Sequence, residues 1–142
     1  HRSDELLPVV RNALACPALP TCGLAITEAE RALPGVTREI VAVLREEGLA
    51  EEPISIRLTG CPNACARPLT AEIGVVGESV DLYGIYLGAS PVGTRLGVRW
   101  AEKVPRAEIA ARLRPIFAAF RQRRRAGEAF GDFCHRGWSE LL

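Results

Sequence analysis

No methionine occurs anywhere in the chain, and its first residue is His1. Lacking an initiator, the sequence is expected to be processed or, better, a fragment of something longer. It holds no apolar stretch near the ~18 residues that mark a membrane span, and no signal peptide opens it. Net charge is scarce as well: 18 Lys and Arg against 17 Asp and Glu leave +1. That balance excludes a nucleic-acid footprint carried by bulk charge. The one basic run, 121–125, reads as a solvated helix end. Repeats, low-complexity tracts and flexible linkers are missing. The five cysteines are odd in number and uneven in spacing, which does not fit a secreted disulfide framework. A reducing, cytoplasmic-type compartment is the expectation, and there such residues serve as metal ligands.

What is present suffices for a core. Hydrophobic residues make up 48% and charged residues 25% of 142 positions, the composition of one compact globular domain over 1–142. Residues 4–15 read as a helix that Pro8 weakens. Residues 16–23 (CPALPTCG) read as a rigid loop. Thr27 followed by Glu30 makes a capping box for a short helix TEAERAL, which Pro34 and Gly35 interrupt. A second helix is predicted over 36–47, with Ile40, Val43 and Leu44 on one face and Gly48 as its stop. Residues 54–58 alternate as a half-buried strand does, and 59–68 form a loop rich in Gly, Pro, Asn and Cys. Residues 72–76 and 81–87 read as a hairpin turning at 77–80. A loop covers 88–98, and a long helix covers 106–125, with Ile109, Leu113, Ile116, Phe117 and Phe120 near 3.6-residue spacing. The tail FGDFCHRGW carries aromatic anchors that pack back on the body. The mixture predicts an α+β fold.

Chemistry concentrates in two cysteine pairs. Cys16 and Cys22 have five residues between them, 38 residues follow, and Cys61 and Cys65 have three between them. Each pair lies on a Pro/Gly loop, and the intervening helical segment allows the pairs to converge. Four thiolates suit a soft metal centre, either an iron–sulfur cluster or a structural zinc. Zinc knuckles use tight pairs such as C-x2-C, whereas a cubane tolerates wider, unequal spacing, so spacing favours the cluster. The plain alternative is four unligated cysteines acting as small core residues. Cys134 stands alone in the aromatic tail and reads as filler.

The stretch TGCPNACARP (59–68) resembles the signature of siroheme/[4Fe-4S] sulfite and nitrite reductases. The stretch ACPALPTCGLAITEAERALP (15–34) is similar to the segment carrying the first cysteine pair in sulfite reductase hemoproteins. The likeness continues through AEIGVVG, LYGIYLGAS and TRL to GEAFGDFCHR, and so covers nearly the whole chain. It implies a mixed sheet with a hairpin and flanking helices, the C-terminal cluster-binding part of the sulfite/nitrite reductase fold. Residues 1–68 would carry the cluster cysteines, and 69–142 the hairpin and long C-terminal helix.

The resemblance assigns Cys16, Cys22, Cys61 and Cys65 to a [4Fe-4S] cluster. It gives Cys65 the further role of bridging thiolate, the proximal ligand of the siroheme iron and thus the catalytic residue of this chain. Asn63 and Arg67 become partners for siroheme carboxylates or braces of their own loop. Gly60 and Pro62 would fix the loop so that backbone N–H groups point at cluster sulfides. The implied reaction is six-electron reduction of sulfite to sulfide in assimilatory sulfur metabolism. Ala66-Arg67-Pro68 looks like the sulfite side of the family, where nitrite reductases tend to a Gly-Gln sequence. The tail resembles ferredoxin-dependent enzymes, and NADPH-linked hemoproteins share part of it. Ferredoxin is therefore the preferred donor, with a flavoprotein reductase as the other, and the run 121–125 offers a basic landing area. In the family the cationic pocket over the distal face comes mostly from the N-terminal half. Lys103 is this chain's one lysine, and few arginines stand near the cysteine loops in sequence. An N-terminal remainder of the same enzyme is therefore an expected partner, and this piece alone is expected to be inactive. The implied compartment is the cytoplasm, or the plastid stroma in a photosynthetic eukaryote. Nitrite reduction and a small iron–sulfur carrier without siroheme are the alternatives. The sequence departs from the family pattern at Ala64, usually Gly, at Leu69, usually aromatic, and in the hairpin between Gly77 and Leu82.

Overall fold

Short apolar strands combined with amphipathic helices bury their faces best as a sheet with helices packed on it. The computed structural model, which describes residues 6–138, has that layered form. Five strands, β1 (Ala13–Ala15), β2 (Ile56–Thr59), β3 (Ile73–Ser79), β4 (Leu82–Leu87) and β5 (Val98–Pro105), lie in this order across one sheet. β1, β2 and β3 run parallel, and β3, β4 and β5 antiparallel. The helices are α1 (Pro8–Arg11), α2 (Leu33–Glu46), α3 (Ile109–Arg123) and α4 (Phe130–Arg136). The α+β class, the hairpin and the flanking helices are as expected.

Alternation along the strands sends Ile56, Leu58, Ile73, Val75, Ile85 and Leu87 to one face, where they are buried with Ile40 and Leu44 of α2 and Leu113, Phe117 and Phe120 of α3. The predicted apolar stripe of α3 is buried in full. The tail does pack back: the Phe130 ring lies 5.2 Å from Phe117 and 5.4 Å from Phe120. Cys134 is fully buried beside them, and burial pushes its thiol well above the usual range. Buried Glu72 ties this end together, accepting bonds from Gly131 N at 2.8 Å and Ser55 N at 3.3 Å. Desolvation raises its pKa above the ordinary carboxylate value.

Local expectations fail where tertiary pairing overrides propensity. The helix expected over 4–15 shrinks to α1, and its next residues form β1, drawn out by parallel pairing with β2 (Ala13↔Ile56, Ala15↔Leu58). Positions 4 and 5 of that expectation fall outside the described residues. TEAERAL forms no helix over 27–32. Instead of capping, the Thr27 hydroxyl bonds Tyr83 Oη and Asp81 N, each at 3.2 Å. Pro34 and Gly35 do not interrupt a helix. They sit in the first turn of α2, where the missing N–H of proline is harmless. The hairpin turn is shorter than expected, because β3 runs on to Ser79. β5 lies where the sequence carries no strand signal: half of its residues are exposed, one is buried, and they show no clean alternation. The run 121–125 is less free than a solvated end, since Arg121 pairs with Glu47 at 3.4 Å and Arg124 with Glu52. Among the described residues no helix is long and apolar enough to cross a membrane.

Glu128 closes the connection between α3 and α4. It accepts from Arg136 Nη2 at 2.8 Å and from Arg125 N at 3.1 Å. The Arg136 hydrogen bond lowers its pKa to about 2. A depressed carboxylate stabilises the fold above its unfolded value, and that contribution disappears as pH falls through the folded value. Glu128→Gln is therefore expected to melt at lower temperature than the parent at pH 7. Melting curves recorded at falling pH should show the gap closing between roughly pH 4.5 and 2.

Candidate functional site

β1 and β2 are neighbours pointing the same way, so the loops that leave their C-terminal ends start side by side. Cys16 follows β1 directly and Cys61 comes two residues after β2. Cys16 N donates to Leu58 O at 3.1 Å, which extends the β1–β2 ladder to the first cysteine. Gly60 N then donates to Cys16 Sγ at 3.4 Å, so one pair's loop already touches a sulfur of the other. Gly60 O accepts from Ile26 N at 2.9 Å and Thr27 N at 3.1 Å. The two cysteine loops are thus sewn together at one residue.

That residue must be glycine. A Cβ at Gly60 would stand 2.5 Å from Ala18 Cβ and 2.5 Å from Thr27 O. Within the first loop, Cys22 N bonds Ala18 O at 2.7 Å, and in the second, Ala64 N bonds Cys61 O at 3.3 Å and Arg67 N bonds Ala64 O at 2.9 Å. These turns are tight enough to drive Ala18, Ala64 and Arg67 to left-handed φ values of 52°, 58° and 53°. Ala64 is the position where the family pattern has Gly, and its positive φ is the physical reason a glycine suits it.

The four thiols differ in exposure. Cys61 is buried, Cys16 and Cys22 are half-buried, and Cys65 is exposed, with none in a disulfide. Among the described residues, no three His, Cys, Asp or Glu side chains are gathered closely enough to hold a single metal ion. Four soft donors on two clamped loops match in kind what an iron–sulfur core takes.

The second loop folds over the sheet face opposite α2 and α3. Arg57 Nη1 donates to Ala66 O at 3.1 Å, and a Cβ on Gly74 would lie 2.3 Å from Pro68 O. Gly74 pairs with Arg57 and Val76 with Thr59, so Arg57 and Thr59 stand on this same face beneath the loop. Thr59 is fully buried, and its Oγ1 has no hydrogen-bond partner. Asn63 and Arg67 are exposed beside Cys65. Arg67 shares a cleft of about 330 Å³ with Arg57, Ser55, Thr70 and Gly93. Neither Arg57 nor Thr59 is marked as a site residue by the sequence. The outward position of Arg57 in an alternating strand was the available signal, and Thr59 lay unused at the head of TGCPNACARP.

No family model matches the chain. Curated proteins do. It is 49% identical over 136 residues to the sulfite reductase [ferredoxin] of Synechococcus elongatus, covering 96% of this chain and 22% of that protein. It is 53% identical over 126 residues to the sulfite reductase [NADPH] hemoprotein beta-component of Methylobacterium nodulans, covering 89% of this chain and 21% of the relative. The chain thus spans about a fifth of the length of these relatives. The solved structure of the Mycobacterium tuberculosis NirA protein superposes with a TM-score of 0.80 at 25% identity, covering 96% of this chain and 27% of that one.

Two substitutions test the loop geometry. Gly60→Ala forces a methyl group into backbone and is expected to destabilise the fold by about 2–3 kcal/mol. Ala64→Gly relieves a left-handed alanine at some cost in unfolded-state entropy, and is expected to be neutral or stabilising by up to about 1 kcal/mol. Denaturant unfolding of both variants checks the pair.

Proposed function

We propose that this chain, which belongs by sequence with the sulfite reductases, is the cluster-holding C-terminal part of such an enzyme. Cys16, Cys22, Cys61 and Cys65 hold a [4Fe-4S] cluster, and Cys65 also ligates a siroheme iron. The observation that carries this reading is the seam at Gly60, which joins two cysteine pairs 38 residues apart in sequence. When bound, the coupled cofactors supply the electron transfers of a six-electron reduction of sulfite to sulfide.

The protein's share is orientation and electrostatics. Cys61, buried, would hold the core from inside the fold, while Cys65, exposed, is the thiol able to reach a group outside this chain. Arg57 holds Ala66 O, the carbonyl of the residue after Cys65, and so braces the backbone beside that cysteine. Arg67 and Arg57 line one cleft, and guanidinium pairs suit the carboxylates of a tetrapyrrole. Asn63, exposed on the same turn, offers an amide to the same substituents. Leu24, 73% exposed next to the first pair, favours a covering surface from the N-terminal remainder of the enzyme. That remainder supplies the cationic pocket for sulfite. Ferredoxin or a flavoprotein reductase delivers the electrons, and with Arg121 and Arg124 already paired, a basic landing area draws on other residues as well.

Anaerobic isolation followed by iron and acid-labile sulfide analysis tests this. About four of each per chain are expected from the cluster, with one further iron and a siroheme absorption band in the complete enzyme. Serine at any of the four cysteines should lower the iron content, whereas Cys134→Ser should leave it unchanged. Zinc in place of iron, or iron retained after Cys65→Ser and Cys61→Ser together, ends the reading. The 142-residue chain alone is expected to show little or no sulfite turnover.

A further inference from the structure

The Thr59 hydroxyl is unexplained by the fold. Thr59 is fully buried at the end of β2, two residues before Cys61, and its Oγ1 finds no partner among the described residues. Buried hydroxyls are nearly always satisfied, and leaving one bare is destabilising. Its neighbours show what it faces. Thr59 shares its sheet face with Arg57 and Gly74, and both are covered by the 61–68 segment, through Ala66 O and Pro68 O. The hydroxyl therefore lies on the sheet face that the cysteine loop covers, two residues from Cys61 in sequence. Valine would fill the same volume without a donor.

We propose that Thr59 donates an O–H···S hydrogen bond to the iron–sulfur core held by the four cysteines, to a sulfide or a thiolate sulfur. This rests on the cluster assignment above. Thr59 is a tuning residue: a donor on sulfur offsets the added negative charge of the reduced core and so raises its reduction potential. The protein thereby keeps a buried polar atom that stabilises the fold only when the core is present.

The test compares Thr59→Val and Thr59→Ser with the parent, after iron and sulfide analysis has established that each holds its core. Potentiometric titration followed by electron paramagnetic resonance reads the midpoint. Thr59→Val should make one-electron reduction less favourable by about tenfold, ~59 mV more negative, while Thr59→Ser stays near the parent. A midpoint unmoved by Thr59→Val overturns the proposal and leaves the cluster assignment standing. A parent protein without iron and sulfide overturns the assignment itself. Iron-stripped protein gives a second reading that holds even if Thr59→Val loads poorly. There Thr59→Val should melt at or above the parent temperature, because no partner is lost. A lower melting temperature means the hydroxyl already has a protein partner, and the proposal fails.

Discussion

Everything distinctive about this molecule follows from the approach of two loops at Gly60. Parallel strands β1 and β2 set the loops side by side, but adjacency alone leaves them free to splay. The carbonyl and amide of Gly60, spent on Ile26, Thr27 and the sulfur of Cys16, convert adjacency into contact. A side chain there is excluded by Ala18 and by Thr27 O. Gly77 repeats the constraint one layer down, since a Cβ on it would meet Gly60 C and O at 2.6 Å. The second loop is then pinned from the other side by Arg57 and by Pro68 resting on Gly74. Its backbone is held at both ends while Asn63 and Cys65 stay outward.

The hydrophobic layer supports this seam without shaping it. Helices α2 and α3 cover one sheet face, and the Phe117, Phe120, Phe130 and Phe133 rings lock α4 onto α3. Arg95 bonds Asp132 at 2.7 Å and Gly88 O at 2.8 Å, which draws the 88–97 loop against α4. The polar chemistry sits on the opposite face, where small residues, Gly74 among them, let the chain fold back close to the sheet. One side of the sheet is a core and the other a platform.

Long periodic segments were readable from sequence because one physical rule governs them. The stripe of α3 and the hairpin strands of β3 and β4 fall where their spacing indicates. Short segments were not, because their partners decide them. Ala13–Leu14–Ala15 has no strand signal of its own and becomes one by lying beside Ile56–Leu58. Thr27 and Glu30 have the form of a helix start, yet Tyr83 and Asp81 claim the hydroxyl. The cysteines announced themselves through Pro/Gly context and spacing. Arg57 and Thr59 did not, because an outward arginine and a threonine in a strand are ordinary until a loop is known to lie over them.

The cysteine pairs belong to two neighbouring strands joined by a crossover that runs through α2 on the far side of the sheet. Distance within each pair is dictated by tight turns, whereas distance between the pairs is merely the contour of that crossover. The 38-residue interval is thus an elastic dimension. Lengthening α2 or the segment after Gly48 would change the spacing read along the chain while leaving each sulfur where it is, so a search for kindred sequences should hold the two short intervals fixed and let the long one float.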